Sequence, residues 1–430
     1  MTWLSIPSFD PYYLYNASVP NMLLADINDG NKLAPMDIKI ENGAIAAITI
    51  AGADRDPTLP AVDLEGGLVL PCFVDLHTHL DKSHILPRCG GREGDLFAAI
   101  AATAADKNNF SNIDLEQRME FSLRCAYAHG TWALRTHLDC GPEQSHDPWS
   151  PFERLRERWR NRIELQAVSL CALEAFADRT YARDLAQTVA RHGGVLGAFC
   201  YEQANMERLL ARVFELAAEF NLDLDFHADE GLDSDAAALE TIARIALEIE
   251  FSGRVVCGHC CSLSVQSPGY VARTLERVAN AGITVVSLPL TNLFLQDRGA
   301  ERTPRLRGIT LIHELTTHGV PVALASDNCR DPFFGYGDLD MLEVFNMGAR
   351  IAHLEYPVRN WIKSVTTTPA RAMGLGEGGI TVGRSADLVL FRARNDSELL
   401  SRPQSDRVVI RAGKRIETTL PDYRQLDLLY

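Results

Sequence analysis

Short runs rich in β-branched and other apolar residues recur through the middle of the chain. Between these runs the apolar positions follow helical spacing, as in 206–220, where MERLLARVFELAAEF places one every three or four residues. An alternation of eight such runs with helices predicts an α/β protein built on a closed parallel (β/α)8 barrel of the TIM type. The eight runs span 67–79, 133–137, 164–170, 195–199, 222–227, 254–259, 283–287 and 320–327.

The segments on either side of these runs have strand-and-turn patterns without helical period. Residues 18–65 include MDIKIENGAIAAITI with a turn at 41–43, and residues 380–419 include VGRSADLVLF and RVVIRAGKRI. Because they bracket the barrel, we expect them to pair into one small β-sandwich domain. The predicted domains are therefore 1–66 with 380–430, and a barrel over 67–379. The opening segment to Asn16 is aromatic, and the sequence assigns it no role.

Composition narrows the classes of function. The 430 residues carry a formal net charge of −15, and 46% are apolar, which is typical of a globular protein. The acidic balance argues against nucleic acid or an anionic membrane as a partner, because both attract clustered positive charge. The first basic residue is Lys32, no run approaches ~20 apolar residues, and the ten cysteines are scattered. We therefore expect a cytoplasmic protein with reduced thiols.

Several predicted strands end on residues that bind metals or transfer protons. The first ends on His77-Thr78-His79, and side chains at i and i+2 of a strand share a face, so both imidazoles point into the barrel. His227 adds a third nitrogen and Asp327 an oxygen at other strand ends, where the active sites of such barrels lie. Three imidazoles and one carboxylate suit Zn²⁺ or Fe²⁺.

These motifs, in this order, resemble those of the amidohydrolase superfamily, specifically its cytosine deaminase branch. The matching stretches are LVLPCFVDLHTHLDK, ALRTHLD, LDFHADE, the strand ending at His259, PLTNLFLQDR with the later RGIT, ASDNCRDPF, TTTPARAMGL and VGRSADLVLF.

The resemblance implies a role for each matching residue. His77, His79, His227 and Asp327 would hold one divalent metal ion. Glu230 would carry a proton to the ring nitrogen and the leaving amine. His259 would hydrogen-bond the attacking hydroxide, and Asp327 would accept the proton of the water. Dinuclear members of the superfamily carry a carboxylated lysine after the fourth strand, where this chain reads VLGAFCYE, so a single ion is expected.

The chain departs from the family where the substrate ring would bind. The Pro-Gln-Glu-Gly element after the third strand is absent, and the stretch there is SLCALEAF. Asn328 stands where a second aspartate is usual, and Phe333 where a tryptophan is usual. We hypothesise that Glu174 replaces the missing glutamine and accepts hydrogen bonds from ring N–H groups; the alternative is a surface or capping carboxylate. His137, on the second strand, is a further candidate for the pocket or a buried support of it.

A basic loop follows the first strand, and two interpretations of it remain open. Its charges would receive an anionic substituent of the substrate, or they are solvated and contact another subunit. The residues are Lys82, His84, Arg88 and Arg92, with Arg330 after the eighth strand.

Together these patterns predict a metal-dependent aminohydrolase. It would convert the exocyclic amine of a small N-heterocycle, such as cytosine, another nucleobase or a pterin, to a carbonyl and release ammonia. The alternatives are a cyclic-amide or triazine hydrolase of the same superfamily, and a catalytically silent, metal-free scaffold. The family also implies a homo-oligomer.

Overall fold

The computed structural model describes residues 3–8, 11–24, 32–53, 55–89, 95–144, 146–299, 301–376 and 378–430. Its strands are Tyr12–Pro20 (β1), Leu33–Glu41 (β2), Ala44–Ile50 (β3), Ala61–Asp63 (β4), Val69–Pro71 (β5), Phe73–Thr78 (β6), Thr131–Asp139 (β7), Glu164–Leu170 (β8), Val195–Cys200 (β9), Leu224–Ala228 (β10), Val255–His259 (β11), Thr284–Ser287 (β12), Val322–Leu324 (β13), Leu388–Leu390 (β14), Val408–Arg411 (β15) and Lys414–Arg415 (β16).

Helices occupy most of the connections. They are Leu96–Asp106 (α1), Asn112–Ala128 (α2), Trp149–Arg158 (α3), Arg179–His192 (α4), Met206–Phe220 (α5), Ala238–Glu248 (α6), Pro268–Asn280 (α7), Pro289–Leu295 (α8), Ile312–Thr317 (α9), Met341–Ile351 (α10), Pro357–Asn360 (α11), Thr367–Ala372 (α12) and Asp396–Leu400 (α13). No helix within the described residues is long and apolar enough to cross a membrane.

Strands β6 to β13 form the barrel. Within the described residues they make one eight-stranded sheet in chain order, and the registers of β8 through β13 are parallel. A parallel bridge between Thr78 and Asp327 joins the ends of the first and last strands. The predicted (β/α)8 barrel is confirmed, and the predicted helix over 206–220 coincides with α5, which buries Leu210, Val213 and Phe214.

The contacts within the chain divide it into two compact units. One consists of 75–123, 134–339 and 422–430, and the other of 1–74, 124–133 and 340–421. The domain boundaries predicted from the sequence, 1–66 with 380–430 and a barrel over 67–379, stay a prediction.

The second unit contains two four-stranded sheets among its described residues, in the orders β3-β2-β1-β4 and β16-β15-β14-β5. Both contribute to one apolar core, which includes Leu14 and Ile38 from the first sheet and Leu388 and Ile410 from the second. The N- and C-terminal segments thus build the small β-sandwich that the sequence predicts. The opening segment, left without a role, supplies part of β1, whose Tyr12 hydroxyl donates to the Gly413 carbonyl at 2.8 Å.

The first predicted run, 67–79, is two strands and not one. Its first part, β5, pairs antiparallel with β14, and its second part, β6, enters the barrel. The chain changes sheet at Cys72, whose N–H donates to the Asp387 carbonyl, while that of Phe73 donates to the Gly130 carbonyl. Both sheets bury their strands here, so the apolar pattern is continuous across the break.

Candidate active site

The closure of the barrel brings the first and last strands together at their carboxyl ends. The Asp327 N–H donates to the His77 carbonyl at 2.9 Å, and the His79 N–H donates to the Asp327 carbonyl at 3.2 Å. Asp327 has φ +65°, an uncommon conformation for a residue other than glycine. This turn in the backbone places the Asp327 carboxylate beside the two imidazoles of His77-Thr78-His79.

The four predicted metal ligands lie close to one another at the carboxyl end of the barrel. His227 Nε2 lies 3.2 Å from His77 Nε2 and 3.1 Å from His79 Nε2. Asp327 Oδ1 lies 3.2 Å from His79 Nε2 and 3.5 Å from His77 Nε2. All four side chains are buried. Ligands at 2.0–2.1 Å from one ion would be about 3.4 Å apart in a tetrahedron, so the spacing fits a metal ion such as Zn²⁺.

The chemistry of these groups also fits a metal ion. Neither Asp327 oxygen forms a hydrogen bond within the described part of the chain, although both are buried. Burial, followed by the charges of the neighbouring histidines, lowers the pKa values of His77 and His227 well below the usual value for histidine. Both rings are therefore neutral, and each has a nitrogen lone pair that can bind a metal ion. Buried polar atoms without a partner are rare in proteins, and a divalent cation would satisfy them.

A glycine on β11, which is not adjacent to β6 in the sheet, makes room for the ring of His77. A Cβ atom on Gly258 would lie 2.9 Å from His77 Cε1 and 3.0 Å from His77 Nδ1. Real Cβ atoms do not approach other atoms so closely. The His77 ring therefore keeps its position only because residue 258 has no side chain.

Glu230 and His259 lie beside the four predicted metal ligands. The Glu230 carboxylate is 3.7 Å from His259 Nδ1. Burial, reinforced by the charge of Asp327, raises the pKa of Glu230 to about 8. Burial lowers the pKa of His259 to about 4. At neutral pH Glu230 is therefore protonated and His259 is neutral. A protonated carboxyl group next to a neutral imidazole is suited to proton transfer.

Residues of the PLTNLFLQDR and RGIT motifs hold these two groups. Asn292 Nδ2 donates to His259 Nδ1 at 3.0 Å, and Gln296 Nε2 donates to the Glu230 carbonyl. Thr310 Oγ1 donates to the Cys260 carbonyl at 2.8 Å. A Cβ on Gly308 would lie 2.4 Å from Gln296 Cβ, so the glycine permits this packing. In the sequence these two motifs indicate only the family resemblance, and they do not reveal the hydrogen bonds that these residues form.

A cavity of about 290 Å³ reaches these groups. Ligand pockets usually measure about 300–1,000 Å³, so this one suits a small ring compound. Leu96, Ile100 and Thr103 of α1 form part of one wall. The other polar groups of the lining are His79, Lys82, Lys107, Asp139, His227, Glu230, His259, Asp327 and Asn328.

Two of the predicted substrate-binding residues line this cavity. Asn328 Nδ2 donates to Asp331 Oδ2 at 2.7 Å, which holds its amide in place. The Phe333 ring lies with its centroid 5.6 Å from Lys82 Nζ. His137 is fully buried with its ring centroid 4.0 Å from that of His77, and it is not part of the lining. Its ring also lies close enough to those of His77 and His227 for the three to form a group that could hold a metal ion, so the role of His137 stays a prediction.

The structure does not bring Glu174 into the cavity. Its side chain is exposed and accepts a hydrogen bond from the Tyr201 hydroxyl, whereas Ala172, two residues earlier, lines the cavity. A short 3-10 helix over Leu173–Ala177 begins directly after Ala172 and carries Glu174 away from the strand end. The structure therefore places Glu174 where the alternative, a surface carboxylate, expects it.

Two charged residues of the cavity, Asp139 and Lys82, were not among the site residues predicted from the sequence, which named Lys82 only as part of the basic loop. Asp139 ends β7, two residues after His137, and accepts a hydrogen bond from Lys82 Nζ at 2.7 Å. The signal was available, because i and i+2 on a strand share a face. Arg88, from the same basic loop, instead binds Asp106 and Asp114.

His84 and Arg330, which belong to the same basic group, are not part of the cavity lining. His84 is buried, and the Arg330 guanidinium lies 4.1 Å from the centroid of the Tyr423 ring. Arg92 lies outside the described residues.

Comparison with known proteins shows what the chain is similar to. A model of the amidohydrolase family matches residues 100–420. The chain is 45% identical to a pterin deaminase of Rhizobium rhizogenes over 99% of its length and 98% of that protein. It is 24% identical to an N-isopropylammelide isopropyl amidohydrolase of Pseudomonas sp., over 83% and 87% of the two chains. The crystal structure of 5-methylcytosine deaminase from Klebsiella pneumoniae superposes with a TM-score of 0.81 at 23% identity, covering 96% and 98%.

Proposed function

The chain belongs to the amidohydrolase family, and we propose that it removes the exocyclic amine of a pterin-type ring as ammonia and leaves a carbonyl. The broader activity, hydrolysis of a C–N bond to deaminate an N-heterocycle, follows from the family match and the 45% identity to a pterin deaminase over nearly the whole chain. The observation that carries the proposal is that one small cavity is lined by five of the predicted site residues: His79, His227, Glu230, His259 and Asp327. His77 lies directly beside them, with its Nε2 3.2 Å from His227 Nε2.

His77, His79, His227 and Asp327 are the residues that would hold the metal ion. When bound, a divalent ion at these residues supplies a Lewis acid and lowers the pKa of water towards about 7. We propose one ion per chain, zinc or iron, since both accept a His₃Asp ligand set. The carboxyl end of β9 carries Phe199, Cys200 and Tyr201 and no lysine that could bridge a second ion.

Each polar group of the site has a task in the proposed reaction. Glu230, protonated at neutral pH, gives its proton to the ring nitrogen, and Asp327 accepts the first proton that the attacking water loses. Glu230 then takes the proton of the hydroxyl that has added to the ring carbon and passes it to the leaving amine, which departs poorly without it. The proton on Asp327 returns to Glu230 at the end of the cycle. Because Asn292 donates to Nδ1 of neutral His259, the hydrogen of that ring sits on Nε2, which has no partner within the described chain. His259 can therefore donate to the oxygen that develops negative charge.

A panel assay tests the proposal. Protein of measured metal content is incubated with pterin, guanine, isoguanine, cytosine, 5-methylcytosine, creatinine and aminotriazines, and released ammonia is quantified. We expect pterin to rank first. Glu230→Gln, which keeps the shape of the side chain, is expected to lower kcat by about 100-fold or more because the proton donor is lost.

Two outcomes would contradict the proposal. Metal-loaded protein that releases no ammonia from any compound would instead favour hydrolysis of a cyclic amide or a triazine. Protein that holds no stoichiometric metal would favour the silent scaffold. Elemental analysis of the same sample identifies zinc or iron and gives the number of ions per chain.

We also propose that the protein is a homo-oligomer, as the family resemblance implies. Light scattering coupled to size-exclusion chromatography would give its mass. A mass equal to that of the 47.5 kDa chain would contradict this part of the proposal.

A further inference from the structure

Lys82 and Asp139 form a buried ion pair in the wall of the cavity. Lys82 Nζ donates to Asp139 Oδ1 at 2.7 Å, and both side chains are largely buried. Both residues line the cavity together with His227 and Glu230. A charged group removed from water loses its hydration, and pairing does not always compensate, so a buried ion pair is weak support for a purely stabilising role.

Both partners retain capacity for further hydrogen bonds. The Lys82 ammonium has three N–H groups, and within the described residues only Asp139 receives one of them. Asp139 Oδ2 lies 3.1 Å from Lys107 Nζ, but a carboxylate has about four acceptor positions. A ligand in the cavity therefore meets a donor and an acceptor next to each other.

The backbone holds this pair rigidly. The Asp139 N–H donates to Asp81 Oδ2 at 2.7 Å, which ties the end of β7 to the residue before Lys82. The Phe333 ring lies beside the Lys82 ammonium, with 5.6 Å between Nζ and the ring centroid. Donor and acceptor are therefore fixed before a ligand arrives, as recognition of a planar ring requires.

We infer that Lys82 and Asp139 recognise the lactam edge of the substrate ring, with Lys82 donating to the ring carbonyl and Asp139 accepting from the adjacent ring N–H. This inference rests on the proposed deamination and specifies its substrate class as an amine on a ring that also carries a neighbouring lactam. The Lys82 ammonium is a donor that faces the acceptor of such a ring, its carbonyl oxygen. The Asp139 carboxylate is an acceptor that faces the donor of the ring, its N–H group. Asp139 thus takes the task that the sequence interpretation gave to Glu174.

Two pteridines separate this recognition from general support of the site. Pterin carries the carbonyl and the ring N–H, whereas 2,4-diaminopteridine has an amine and an unprotonated nitrogen at those positions. A ligand that leaves the buried polar groups of a site without hydrogen-bond partners binds much more weakly than one that pairs with them. We expect wild-type kcat/KM for ammonia release to be about 100-fold or more higher with pterin.

The test measures both substrates with Lys82→Met. The variant is expected to lower kcat/KM for pterin by about 100-fold and that for 2,4-diaminopteridine by less than about threefold, with metal content unchanged. Lys39→Met is the matched control, because Lys39 pairs with Glu41 at 2.9 Å in the β-sandwich, and it should change neither value. An equal loss with both substrates would make Lys82 a structural residue and overturn the inference.

Asp139→Asn provides a second variant in case Lys82→Met does not fold. An amide can donate to an unprotonated ring nitrogen, so the ratio of the two kcat/KM values should shift towards 2,4-diaminopteridine by about 10-fold or more. A folded Asp139→Asn protein with the wild-type ratio would contradict the inference.

A binding measurement keeps the inference separate from the proposed function. If the wild type releases ammonia from no amino-lactam, the proposed function fails. Calorimetry with pteridine-2,4-dione, which has the lactam edge but no amine, then tests recognition alone. Binding that weakens by about 100-fold in Lys82→Met would support the inference. Equal binding by both proteins, or none by the wild type, would overturn it.

Discussion

At the scale of single residues, the His77 ring keeps its position because residue 258 is a glycine and has no Cβ atom. We predict that Gly258→Ala lowers the metal content of the purified protein at least several-fold, because the added Cβ would lie 2.9 Å from His77 Cε1 and push the ring away from its partners. Elemental analysis measures the loss.

Gly269→Ala, on α7, serves as the control for this substitution. A Cβ there would meet only Arg273 Nη1, at the ordinary distance of 3.7 Å. Full metal occupancy in Gly258→Ala would show that the ring can shift without losing the ion, and the steric argument would fail.

A second prediction at this scale concerns the tautomer of His259. In Asn292→Asp the new carboxylate can only accept, so His259 would carry its hydrogen on Nδ1 and lose the donor on Nε2. We expect kcat to fall by about 100-fold with normal metal content, as when a donor to a developing oxyanion is removed. Asn292→Asp with wild-type kcat would exclude a donor role for Nε2.

The predictability of the site also differs from residue to residue. His77 and His79 could be placed from the sequence because the two-residue period of a strand fixes which side chains share a face. Glu174 could not be placed, because a 3-10 helix begins at Leu173 and the two-residue period of the strand does not continue through it. Asp139 obeys the same period as the histidines, yet a strand-end aspartate is common without a ligand.

At the scale of elements, α10 is held at its N-cap residue, Asp340, by a largely buried ion pair. Asp340 accepts from Arg407 Nη1 at 2.7 Å and Nη2 at 2.6 Å, and it caps the helix by accepting from the Leu342 N–H at 3.0 Å. We predict that Asp340→Asn lowers the free energy of unfolding by about 3 kcal/mol at pH 7, because Arg407 would remain buried without its counter-charge. Urea unfolding of both proteins measures the difference.

The same pair predicts a dependence on pH. Burial acts to raise the pKa of Asp340, but Arg407, His129 and the hydrogen bonds outweigh it and lower the pKa below its usual value. The stabilisation is therefore complete above the unfolded-state pKa of about 3.9 and is lost as the pH falls through the lower folded-state pKa. The gap between wild type and Asp340→Asn should narrow in acid, while Glu398→Gln, at an exposed ion pair, should show little effect throughout. A gap that is constant down to pH 3 would contradict this assignment.

Element boundaries were less predictable than element types. The run 67–79 is apolar throughout, and nothing in its pattern marks the change of sheet at Cys72, because the chain is buried on both sides of it. The hairpin of β2 and β3 was placed correctly, since Asn42 and Gly43 adopt φ +54° and +75°, the conformation that a tight hairpin turn requires.

At the scale of the whole molecule, metal binding should contribute to stability. An ion that binds only the folded chain stabilises it by about 4 kcal/mol when its free concentration is a thousand times its Kd. We predict that chelation lowers the midpoint of thermal unfolding of the wild type by several degrees and that added metal restores it. The midpoint of His227→Ala should respond to neither treatment, and an equal response would place the stabilising ion elsewhere.

The barrel itself could be predicted from the sequence because its repeated alternation is a property of the whole chain. The strand-and-helix units of the barrel bury one face of a helix against the sheet, so apolar strand patterns and helical patterns alternate along the sequence. One irregular loop does not remove this alternation. The small cavity and its lining by α1 are different. They depend on how the loops fold over the strand ends, and loops carry no such period.

The pairing of Thr78 with Asp327 also affects the order in which the barrel folds. Nearly 250 residues separate these partners, so the two can meet only after the last barrel strand has been synthesised. An emerging chain that already holds His77, His79 and His227 still lacks the carboxylate and the backbone bonds that close the ring. Slow, non-local pairing of this kind is a late step in folding. Tight capture of the ion would therefore mark the moment at which the barrel is finished.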